Sequence, residues 1–126
     1  MTDRLLAETR LPTADELFLA GLSRWVAKPL RGCTRGAIQE ANIVLGELLS
    51  NAYRHASGPY GVRLTATMDA VRLRVEDGGA VPAEPWAVGK GLLIVRGLCP
   101  RWGVEASTRG KAVWAELPVL VAPLSD

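Results

Sequence analysis

The sequence predicts an α+β sandwich, with helices packed on one face of a mixed, mostly antiparallel sheet. Three observations lead there. Residues 13–56 repeat apolar side chains at helical spacing, residues 62–76 alternate apolar and polar with a period of two, and a short apolar helix then precedes a second alternating pair of segments. Helices, hairpin, helix, hairpin is an order that separates the layers instead of alternating single strands with single helices. At 126 residues, with 48% hydrophobic and 22% charged side chains, the chain can bury a core as one domain without disulfides or metal.

Each element has its own justification. Arg4 to Arg10 reads as a short edge strand. In "PTADELFLAGLSRWVAKPL", Thr13 is an N-cap with Glu16 three residues on to close a capping box. Leu17, Leu22, Trp25 and Val26 give that helix its apolar face, and Pro29 ends it. The longest helix runs from about Thr34 to Ala56 on Ile38, Ala41, Leu45, Leu48, Leu49 and Ala52, and "SGPYG" stops it. Val62, Leu64, Ala66 and Met68 then alternate with polar residues. They turn at Asp69–Ala70 into Val71, Leu73 and Val75, a hairpin with one wet and one covered face. "DGGAVPAEPWAVGKG" is loop, "LLIVRGLCP" a short helix ended by Pro100, and "WGVEAST" with "KAVWAELPVL" a second hairpin across Arg109–Gly110. Trp25, Trp102 and Trp114 read as packing residues, and Trp86 as a lid or partner contact.

Composition excludes several classes. A net charge of +2 from scattered basic residues argues against direct nucleic-acid binding. No segment approaches the roughly 20 apolar residues of a membrane span, and the N-terminus lacks a signal-peptide core. Cys33 and Cys99 have no CxxC or Cys/His companion, so they read as reduced thiols of a cytoplasmic protein.

The residues able to do chemistry begin with "ELLSNAYRHA". Glu47, Asn51 and His55 are spaced by four and form one file along the helix. That file is either a solvated edge or it faces something needing a carboxylate, an amide and an imidazole. The Asn51 carbonyl suits Mg²⁺, which takes few protein oxygens and the rest from phosphate and water. Glu47 suits proton acceptance, and His55 suits either a phosphate contact or the helix end, where a cation is favoured. Asp77 is in phase with Val71, Leu73 and Val75. It is either a strand-end group turned to solvent or a carboxylate held on the covered face to accept from a ligand. Gly78 and Gly79 follow it. Gly89 and Gly91 lead into a helix start, a place that favours phosphate, and Lys90 between them is a phosphate contact or a solvated loop residue.

In order, E-x-x-x-N-A-x-x-H on a helix, D-x-G after a strand, G-x-G-L-x-I-V and a glycine turn before the last strand resemble the Bergerat ATP-binding fold of the GHKL superfamily. "LGELLSNAYRHA" and "GLLIVRGLCPRWGVE…GKAVWAELP" look most like its small single-domain actinobacterial members, related to the anti-sigma factor serine kinases. The resemblance spans about Ala14 to Pro118. It implies a two-layer sandwich over 1–126 that binds ATP and Mg²⁺, captures a sigma factor or similar target, and phosphorylates a serine on an anti-anti-sigma (STAS) partner. A homodimer is common among such proteins. It further implies that Asn51 binds Mg²⁺ and Glu47 is the catalytic base. Asp77 would accept from the adenine amino group, Gly79 would line the base pocket, and Gly89, Gly91 and Leu92 would carry the phosphates. A partner-capture module with weak or no ATP binding is the alternative.

Three departures concern ATP handling. Val81 stands where a second glycine of D-x-G-x-G is usual. The lid between the glycine motifs is cut to "AVPAEPWAV", stiffened by Pro82 and Pro85. Ala112, in "GKAVW", replaces the family's common threonine, whose hydroxyl helps hold the adenine. Losing such a hydrogen bond weakens binding by about 0.5–1.5 kcal/mol.

Overall fold

A computed structural model describes residues 4–10, 21, 24–55, 59–67, 69–81 and 91–118. Its elements are β1 (Arg4–Arg10), α1 (Arg35–His55), β2 (Pro59–Ala66), β3 (Ala70–Asp77), α2 (Gly91–Leu98), β4 (Arg101–Ser107) and β5 (Gly110–Pro118). Upstream of α1, residues 24–27 are helical and end in the hydrogen-bonded turns Leu30 N–H to Ala27 O and Cys33 N–H to Leu30 O, around Pro29. The expected Thr13–Glu16 capping box, Leu17, Leu22 and Met68 lie outside the described residues.

The strands form one sheet in the order β1-β2-β3-β5-β4. The sequence predicts a mixed, mostly antiparallel sheet; every pairing among the described strands is antiparallel. Connectivity explains the difference. α2 carries the chain from β3 to β4, which run in the same direction, but β5 folds back between them and pairs with both. The parallel neighbours are thus split apart. The first hairpin turns one step earlier than expected, with Thr67 donating its backbone N–H to the Ala70 carbonyl at 2.9 Å and pairing resuming at Ala66 opposite Val71.

Register sorts the side chains cleanly. Val62 faces Val75, Leu64 faces Leu73, Val75 faces Val113 and Leu73 faces Ala115, so one parity of each strand supplies the covered face. α1 adds Ala41, Val44, Leu45, Leu48, Leu49 and Ala52 to the same cluster, and α2 adds Leu92 and Val95. Both helices therefore lie on one side of the sheet, α1 across β2, β3 and β5 and α2 against α1 and β4.

The other side is laced by ion pairs. Glu8 meets Arg63 at 2.8 Å, Glu116 takes Arg72 and Arg101, and Glu105 takes Arg74. Trp102 and Trp114 occupy opposite sides of the last hairpin. Trp102 packs on the core, whereas the Trp114 indole lies over Gly103, where a Cβ would come within 3.0 Å of the ring. The Arg72 guanidinium sits 5.6 Å from the Trp114 ring centroid, a cation–π arrangement.

Candidate active site on helix α1 and the end of strand β3

Helix α1 starts at a side-chain cap. Thr34 Oγ1 accepts the Ala37 N–H at 3.1 Å, satisfying one of the donors a helix start leaves open. From there the buried residues Ala37, Ala41, Val44 and Leu48 advance in steps of four and three. The next step falls on Asn51. Its position in the apolar stripe puts an amide where the helix would otherwise present leucine, and it is 0% exposed. Neither Asn51 Oδ1 nor Nδ2 has a hydrogen-bond partner among the described residues. Glu47, one turn earlier, is half-buried, and His55 closes the helix. The file is therefore no solvated edge at its centre: it descends from a half-buried carboxylate to a buried, unsatisfied amide.

Unsatisfied buried polar groups are rare, because each keeps the full desolvation penalty with nothing in return. An amide left in this condition is chemically ready: its oxygen can accept or ligate a cation, and its nitrogen can donate.

The second half of the site is the end of β3. Asp77 follows the inward parity of Val71, Leu73 and Val75 and is wholly buried, so of its two readings the solvent-turned one does not hold. Its carboxylate is engaged from two directions. The Gly79 N–H donates to Oδ1 at 2.7 Å, and the Lys111 ammonium donates to Oδ1 at 2.7 Å and to Oδ2 at 2.8 Å. Lys111 is the cross-strand partner of Asp77, and its side chain is only 2% exposed. Gly110 makes this junction possible. A Cβ there would meet the Asp77 carbonyl oxygen at 2.4 Å and Gly78 backbone atoms at 2.7 and 2.8 Å, so only glycine lets β5 approach so closely.

Lys111 is the residue that sequence reasoning missed. Ala112, read as the position of the family's threonine, lies one step out of phase, between Glu76 and Glu105 on the other side of the sheet. A hydroxyl at that position would point away from Asp77. The missed signal was a lysine in phase with Val113, Ala115 and Leu117, the mirror of an aspartate in phase with Val71, Leu73 and Val75. Two opposite charges at the ends of two inward-facing rows mark a buried pair once those strands are known to be neighbours.

The glycine-rich segment expected to meet phosphate is described in part. Gly91 opens α2 and Leu92 is buried in the core, while Gly89, Lys90, Trp86 and the rest of the 82–90 lid lie outside the described residues. Val81 is exposed. The described residues contain no cluster of three or more His, Cys, Asp or Glu able to hold a metal. Mg²⁺ needs no such cluster where phosphate and water complete its shell.

Both cysteines are free thiols. Burial raises the Cys33 pKa, and it raises that of Cys99 to about 11 with a smaller push from the Glu40 carboxylate. Neither is set up as a nucleophile. Among the described residues, no helix is long and apolar enough to cross a membrane. No protein-family model matches the chain, and no curated protein is significantly similar to it.

Proposed function

We propose that this protein is an ATP-binding regulator of the anti-sigma factor serine kinase type on a Bergerat fold. It would capture a sigma factor or similar target and phosphorylate a serine of a STAS-type partner. The supporting frame is an antiparallel sheet covered on one side by two helices, with the motif residues on α1 and at the ends of β3 and β5. The observation that carries the reading is Asn51: a buried amide with no hydrogen-bond partner among the described residues, one turn from a half-buried carboxylate.

The donor set fits the metal end of a nucleotide. Asn51 Oδ1 would supply one protein oxygen to Mg²⁺, and Glu47 would accept the proton of the attacking serine hydroxyl as general base. When bound, Mg²⁺ neutralises phosphate charge, the main electrostatic demand of phosphoryl transfer. The base end fits less well, because Asp77 is already engaged by Lys111. That ion pair favours a second reading, a module that works by partner capture with weak or no ATP binding.

Calorimetric titration of ATP with and without Mg²⁺, beside Asn51→Ala, tests the proposal. Mg²⁺-dependent binding lost in the variant supports it, and no heat at millimolar ATP leaves the capture module. For the kinase step, Glu47→Ala should lower phosphotransfer to a STAS-type partner by at least about a hundredfold. Unchanged transfer would rule Glu47 out as the base.

A further inference from the structure

The buried pair at the end of β3 and β5 has a consequence for what the site selects. Asp77 and Lys111 are directly opposed in the sheet, both on the covered side, with side chains 1% and 2% exposed. A carboxylate offers about four lone-pair positions. Three are taken here: Oδ1 accepts from the Gly79 N–H and from Lys111 Nζ, and Oδ2 accepts from Lys111 Nζ. The charge of the carboxylate is balanced by a buried ammonium. No other ion-pair partner of Lys111 occurs among the described residues.

A ligand amino group that is to be read by Asp77 must therefore meet a carboxylate already satisfied and neutralised. If it displaces Lys111, it strands an ammonium in the protein interior. Separating one member of a buried pair from the other is worth roughly two to four orders of magnitude in an equilibrium constant. If it does not displace Lys111, it finds one lone pair on Oδ2, next to a positive charge that repels a donor hydrogen. Both routes weaken recognition of a base through its exocyclic amine. Neither route touches Asn51, which belongs to helix α1 rather than to these strands.

We infer that Lys111 is the specificity-determining residue of the site: by occupying Asp77 it removes base selectivity, and the site takes Mg²⁺-bound triphosphates by their phosphates. This rests on the reading of Asn51 as the metal and phosphate end. Lys111 is a positioning residue on this account, acting through Asp77 and not on the phosphates.

The experiment is a titration of Mg²⁺ with ATP, GTP or inorganic tripolyphosphate into the full chain, its K111T variant and its N51A variant. Threonine shortens the side chain, removes the charge and leaves space beside Asp77. The wild-type protein should bind ATP and GTP within about threefold of each other, with tripolyphosphate close behind. K111T should tighten ATP by tenfold or more while leaving GTP and tripolyphosphate where they were.

A wild-type preference for ATP over GTP of tenfold or more overturns the inference, and that measurement needs no variant to fold. So does a K111T protein, folded by circular dichroism, that gains no discrimination. Tripolyphosphate separates the two layers of the argument. If it binds, and N51A abolishes that binding, while K111T gains nothing, only the role of Lys111 falls. If it binds no form and K111T gains no ATP, the nucleotide reading falls as well.

Discussion

Asn51 offers the most direct test of the proposed site, because a buried amide without a described partner should cost the fold stability. Leucine has the same number of side-chain heavy atoms in the same forked arrangement, so Asn51→Leu replaces the two polar atoms without adding a methylene. In the ligand-free protein those atoms are buried with no partner among the described residues. Each unsatisfied group carries a penalty of about 1–3 kcal/mol. Removing both, at a fully buried position in the core stripe of α1, should stabilise the fold by about 1–3 kcal/mol after partial offset from imperfect packing. For a chain of 126 residues that is a rise of several degrees in Tm. The assay is urea and thermal denaturation of the two proteins without ligand, followed by Mg²⁺–ATP titration. The variant should be more stable and should no longer bind. A variant destabilised by more than about 1 kcal/mol would refute the reasoning, because it would mean that the amide is satisfied in solution and its burial is structural.

Two further outcomes are expected. Asp77→Ala strands the Lys111 ammonium in the interior, so it should destabilise by about 3–5 kcal/mol, read as a lower urea midpoint at unchanged slope. The pair Asp77→Ala with Lys111→Met should recover most of that loss, and a single-variant change below about 1 kcal/mol would show the pair to be solvated. The second outcome concerns Cys99, whose thiol is pushed by burial from 9.0 up to about 11. A raised folded pKa means that its stability contribution is whole below pH 9 and is lost as pH rises toward 11. The full difference is about 2–3 kcal/mol. Wild type should lose that much more stability than Cys99→Ala over the interval, and parallel curves would contradict it.

Local periodicity determined most of the elements on its own. The run from Thr34 with apolar residues at helical spacing became Arg35–His55, and the alternating segments became both hairpins, because side-chain period alone decides which backbone buries one face. Parity likewise put Asp77 in phase with the covered row but left open whether the strand end turned to solvent; burial in the fold decided it. The file of Glu47, Asn51 and His55 was visible as spacing, but spacing could not say which member would be buried; the packing of α1 on the sheet put Asn51 in the core stripe. What only the tertiary structure decided is the neighbour of β3. Residues 77 and 111 are far apart in sequence, and β5 lies beside β3 only because α2 carries the chain past it before the last hairpin folds back. That long-range pairing made every described pairing antiparallel, set Lys111 opposite Asp77, and closed a carboxylate that the sequence left open. The physical reason is that strand register between distant segments is set by burial across the whole sheet, which no local window of sequence contains.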